Sequence, residues 1–102
     1  MDYQFVLQFK GDSLADYDSM ISLEEALIEE LADIAEVDGH DVGSGETNIF
    51  LETSEPASAF TRAKAVLGAF GLLGKVAAAY RPVGGNSFTV LWPHQLQFFS
   101  VA

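Results

Sequence analysis

The run Val37-Asp38-Gly39-His40-Asp41-Val42-Gly43-Ser44-Gly45-Glu46-Thr47-Asn48-Ile49-Phe50-Leu51-Glu52-Thr53 places two strand-like stretches on either side of Gly43-Ser44-Gly45. Strand residues bounded by glycine and serine are the pattern of a β-hairpin. Its register decides which face each polar residue occupies, because side chains alternate with a period of two. A three-residue Gly43-Ser44-Gly45 loop, with Gly45 left-handed beside a bulge, pairs Val37 with Leu51 and Gly39 with Ile49 on an apolar face. A two-residue Gly43-Ser44 turn sets Asp38 against Ile49 and Asp41 against Glu46, the second a like-charge pair across the ladder. The three-residue loop is therefore expected. It sends Asp38, His40, Val42, Glu46, Asn48 and Phe50 to the face away from the helices, with His40 opposite Asn48.

Upstream, Tyr3-Gln4-Phe5-Val6-Leu7-Gln8-Phe9-Lys10 alternates large apolar residues with polar ones, so a strand is expected with Phe5, Leu7 and Phe9 facing the core. Gly11-Asp12-Ser13 breaks it, and the polar stretch through Asp18 reads as a loop. Ser22 with Glu25 has the spacing of a capping box, flanked by Ile21 and Ala26 as a hydrophobic staple, so a helix is expected to begin there. Leu23, Leu27, Leu31 and Ile34 then follow at helical spacing, while Glu24, Glu25, Glu29, Glu30 and Asp33 form its solvated face.

Downstream, Pro56 suits a first helical turn, and Phe60, Ala63, Leu67 and Phe70 continue that helix until Gly71 or Gly74. Residues 75–81 and 87–92 read as strands around Pro82-Val83-Gly84-Gly85-Asn86. The tail from His94 keeps Leu96, Phe98, Phe99 and Val101, so it is expected to pack.

The expected order is strand, helix, strand, strand, helix, strand, with a further strand appended. Over about the first eighty residues it resembles the split βαβ pattern of the ferredoxin-like fold, which implies a two-layer α+β sandwich with one face of the sheet uncovered. One domain spanning residues 1–102 is expected. The segment from Val37 to Phe50 also resembles a hairpin of small, functionally uncharacterised bacterial proteins of that fold. That resemblance implies no activity.

A hydrophobic share of 49% with eight Phe belongs to a chain that buries a core. With no cysteine there is no disulfide framework and no thiolate chemistry. The N-terminal residues lack the pattern of a signal peptide and no apolar run reaches membrane-spanning length, so the cytoplasm is the expected location and no membrane is expected as a partner. Fifteen acidic residues against five Lys and Arg give a net charge of −10, which repels nucleic acid and favours a basic protein partner. Phe50 offers a single candidate stacking residue without the basic surround of an RNA-recognition domain.

In the expected register Asp38, His40, Glu46 and Asn48 form the one polar constellation with candidate chemistry. Carboxylates beside a histidine orient the imidazole or join it in holding a divalent cation. Their spacing matches no established metal motif, no cofactor motif is present, and no catalytic residues are assigned. Ser44 and Gly84-Gly85 read as turn residues, and His94 as a loop histidine. The leading reading is a non-catalytic interaction or regulatory module using Glu25, Glu29, Glu30, Phe50 and Trp92. The alternative is a small-ligand or divalent-metal-binding protein centred on His40. A homodimer through the open sheet face or the aromatic tail is also expected.

Overall fold

Period-two alternation along β1 (Tyr3–Lys10) sorts the side chains onto two faces of a sheet. Phe5, Leu7 and Phe9 are buried with the helices, whereas Val6 is buried on the other side in a separate cluster. The computed structural model describes residues 2–11 and 17–101. After β1 come α1 (Tyr17–Leu31), β2 (Ala35–Gly43), β3 (Glu46–Thr53), α2 (Pro56–Ala69), β4 (Val76–Pro82) and β5 (Thr89–Trp92). Each strand pair is antiparallel, and the strands lie in the order β2-β3-β1-β4-β5.

Both helices cover one face, where Met20, Leu23, Leu27 and Leu31 of α1 and Ala59, Phe60, Ala63 and Leu67 of α2 meet Ile49, Leu51 and Ala78. Pro56 opens α2 where no intrahelical donor is needed. The Trp92 ring packs against Phe60 at 6.0 Å between centroids and donates from Nε1 to the Leu73 carbonyl at 3.0 Å. The second face holds Val6, Ala79 and Phe99, with Phe50, Phe88, Val90, Leu96 and Val101 against them. The C-terminal segment therefore folds back across its own sheet.

The expected ferredoxin-like two-layer sandwich is corrected by this arrangement. The appended fifth strand is present as expected, but the α+β sheet runs in the order β2-β3-β1-β4-β5, which differs from a simple ferredoxin-like sandwich, and the tail lies over the face that a two-layer sandwich leaves open. The physical reason is the apolar content of the C-terminus. Phe88 and Val90 widen the sheet's second face, and burying them requires Leu96, Phe99 and Val101 as cover.

Helix α1 also begins earlier than the capping box implied, since Ser22 lies in its second turn. The expected loop from Gly11 to Asp18 falls largely outside the described residues, and its last two positions, Tyr17 and Asp18, are helical. Hydrophobic burial of Met20 with Leu23 and Leu27 extends the apolar stripe one turn upstream and overrides the local cap signal.

The hairpin register differs in the same way. Its turn is the two-residue Ser44-Gly45, with φ of 55° and 75°, the left-handed pair that matches the twist of a tight hairpin. Val37 does face Leu51, but Asp38 has no partner, and Gly39 faces Phe50 and His40 faces Ile49. One extra residue makes a β-bulge, and Gly39 accommodates it at φ 148°.

The docked tail is expected to carry stability. Phe99→Ala is expected to lower the free energy of unfolding by about 3 kcal/mol, as for other buried Phe truncations. Urea denaturation checks this, and an unchanged midpoint would show a tail that does not contribute.

Candidate functional site

The bulge reverses the faces of every β2 residue beyond it. His40 consequently points to the helix side of the sheet at its exposed edge, where its Nδ1 lies 2.9 Å from Glu24 Oε1 and its ring is 6.3 Å from that of Tyr17. Glu24 occupies a buried position of α1, and this contact gives its carboxylate a partner. Glu46 and Asn48 remain on the opposite face. Gln8 Nε2 donates to Asn48 Oδ1 at 3.0 Å, to the Ser100 carbonyl at 2.8 Å and, at a longer 3.2 Å, to Glu46 Oε2. Asn48 Nδ2 donates to the same Glu46 oxygen at 2.9 Å.

Gln8 and Asn48 are 3% and 1% exposed, so this network satisfies amides that would otherwise be costly to bury, and it fastens the tail to the sheet. Asp38 borders a third region with Gln4, Glu52 and Arg81. The constellation expected from Asp38, His40, Glu46 and Asn48 is thus divided between the two faces. Among the described residues, no three His, Asp or Glu side chains gather into a metal-holding group. The expectation that His40 sits beside Asn48 is corrected: Asn48 faces Asp41, because one inserted residue exchanges the faces.

The expected interaction residues fare differently. Glu25, Glu29 and Glu30 are exposed along α1. Arg62 of α2 reaches Asp33 from Nη1 at 2.7 Å, approaches the Glu30 carboxylate at 3.9 Å from Nε, and donates from Nη2 to the Glu30 carbonyl. The Arg62 hydrogen bond, helped by a bond from the Asp33 backbone, holds the Asp33 carboxyl below its ordinary value of 3.8. Phe50 and Trp92 lie half-buried on opposite faces of the sheet, each packed within the chain.

Charge is sorted in space as well as in sequence. Asp18, Glu24, Glu25, Glu29, Glu30, Asp33, Glu36, Asp38 and Asp41 all fall in residues 17–43, where there is no Lys or Arg. Residues 56–102 contain Arg62, Lys64, Lys75 and Arg81 and no acidic residue. The acidic segment forms α1 and β2, so one end of the sheet is strongly negative. This division was visible in the sequence as a change of sign after Glu55, a signal that total net charge conceals.

At that end, β2 is an edge strand, and among the described residues no strand pairs with its outer side. A groove of about 340 Å³ runs between it and α1, lined by Ile28, Ala32, Ala35, Glu36 and Val37. Ile28 is 53% exposed there. Glu36 lines the groove itself, and the exposed Glu25 stands one helical turn before Ile28, with Glu29 next to Ile28 in sequence, so the groove borders negative charge. Sequence reading missed Ile28 and the groove, because an isoleucine between Leu27 of the apolar stripe and Glu29 of the acidic face fits either surface.

No helix among the described residues is long and apolar enough to cross a membrane. Comparison with known families finds no family model that matches the chain, and comparison with curated proteins finds no match.

The Asp33 contact gives a pH-dependent outcome. A depressed carboxyl favours the folded state above its ordinary value, and that contribution is lost as pH falls through the lowered one. Carboxyl NMR should place the Asp33 midpoint below 3.8, and Arg62→Ala should move it upward. An unmoved midpoint would assign the shift to the backbone hydrogen bond alone.

Proposed function

We propose that this protein is a non-catalytic interaction module that takes up an extended, basic segment of a partner protein along β2 and the α1 groove. The observation that carries the reading is an edge strand beside an apolar groove with an acidic rim. An added strand would gain main-chain hydrogen bonds from β2, and alternate side chains would reach Ile28 and Val37. Lysine or arginine at the intervening positions would meet Glu25, Glu29, Glu36 and Asp41, which are exposed. The bulge and the acidic residues also blunt the edge against self-pairing, since two β2 strands would bring like charges together.

A second copy of this chain is the less supported occupant. The apolar face that motivated a homodimer is covered within the chain by Phe99 and its neighbours. The alternative of a metal or ligand site around His40 loses the convergence of side chains on which it rested.

A synthetic peptide alternating lysine with valine tests the reading. Binding should shift amides of β2 and α1 in NMR spectra and weaken steeply with salt, because exposed charges are screened over about 8 Å at physiological ionic strength. Glu25→Lys with Glu29→Lys should weaken binding by about tenfold or more. Proline at the peptide positions that donate to β2 should abolish it. Shifts confined to other elements, or an affinity indifferent to salt and to these substitutions, would reject the proposal. Light scattering of the protein alone separates out self-association.

A further inference from the structure

The opposite end of the sheet carries two lysines whose placement the interaction reading leaves unexplained. Phe9 of β1 faces Val76 of β4 at the end of their ladder, so Lys10 and Lys75 are the next residues of each chain beyond it. Like charges gathered at one place are destabilising unless an anion joins them. Both side chains are exposed and border one cleft of about 340 Å³, floored by Gln8, Val76 and Ala77 and walled by Leu96, Phe98 and Phe99 of the tail. The other cations are engaged elsewhere. Arg62 binds Asp33, Lys64 lies 5.2 Å from the Trp92 ring centre, and the Arg81 guanidinium lies 4.8 Å from that of Phe88.

Among acidic groups near this cleft, Glu46 is the register partner of Lys10. Its Oε2 accepts from the Gln8 and Asn48 amides, which fixes the carboxylate on the β3 side of Lys10. Among the described residues, Glu46 is the one acid beside the two lysines, and residues 56–102, which supply the remaining walls, contain none. A positive cleft with an apolar wall in a chain of net charge −10 is not a product of composition.

The tail shapes this wall in a particular way. Ser100 is held by Gln8 and Phe99 is buried, while Phe98 between the docked Leu96 and Phe99 is left 76% exposed at the cleft. An aromatic ring in that position costs apolar exposure and gains a contact surface for a ligand's apolar part.

From these observations we infer that the cleft binds a small amphipathic monoanion, a short-chain or aromatic carboxylate. The carboxylate lies between Lys10 and Lys75 and the apolar body lies against Leu96, Phe98 and Phe99. Charge-assisted hydrogen bonds to two ammonium groups orient the head, and the apolar wall selects against small hydrophilic anions. A polyanion is disfavoured, because the acidic remainder of the molecule repels it.

The test uses the full chain, titrated by NMR with hexanoate and with benzoate, and with hexanol and inorganic phosphate for comparison. At least one carboxylate is expected to give saturable shifts at the amides of Lys10, Lys75, Ala77 and Phe99. Lys10→Gln with Lys75→Gln should weaken that binding by about tenfold or more, and hexanol should bind more weakly than hexanoate by a similar factor. Lys64→Gln should leave it unchanged. Phe98→Ala, at an exposed ring, should weaken it by about threefold without altering charge.

The inference is overturned if neither carboxylate gives saturable shifts. It is equally overturned if hexanol matches hexanoate, if the double lysine variant binds as the parent does, or if phosphate binds more tightly than either carboxylate. None of these outcomes depends on the acidic groove at the other end of the sheet.

Discussion

Asp38 has no partner on β3, and from that point the β2 ladder runs one residue out of phase with simple alternation. The shift turns His40 to the helix side of the sheet edge against Glu24, while the unbroken β1–β3 register holds Glu46 and Asn48 beside Gln8 on the other face. The hairpin's polar residues thus have separate tasks. The histidine partners a buried carboxylate, and the asparagine joins a hydrogen-bonded network that secures the C-terminus. Removing the extra residue would turn His40 to the other face, and the buried Glu24 carboxylate would lose the contact that makes its burial tolerable.

The Gln8 network has a wider consequence because of its position on the central strand. β1 lies between β3 and β4, so a side chain on its second face touches both neighbours and whatever crosses above them. By accepting from Gln8, the Ser100 carbonyl places the tail over Val6 and Ala79, and the tail in turn forms the wall of the cleft beside Lys10 and Lys75. Packing, tail position and the shape of that cleft are therefore coupled through one buried amide.

The two ends of the sheet have opposite electrostatic characters. Acidic residues of α1 and β2 gather at one edge, whereas Lys10 and Lys75 border the cleft between β1, β4 and the tail. An open strand with a negative rim and a positive cleft with an apolar wall select different chemistries. Sheet order, by holding β2 at the edge and β1 beside β4, keeps those two fields apart.

By itself the sequence determined the order of elements, the alternation that buries Phe5, Leu7 and Phe9, the helical stripe through Leu23, Leu27 and Leu31, and the exposure of Glu25, Glu29 and Glu30. These follow from local periodicity, which needs no knowledge of neighbours. The sign change after Glu55 was equally present, although it gains meaning only once α1 and β2 are known to share an edge. Tertiary structure decided the bulge at Asp38, the earlier start of α1, the five-stranded order and the course of the tail. In each case two local arrangements were compatible with the same residues. The choice was made by burial: α1 extended until Met20 was covered, and the tail folded back to cover Val6 and Ala79. The bulge let Val37 keep its place against Leu51 while His40 turned to the same face and reached Glu24.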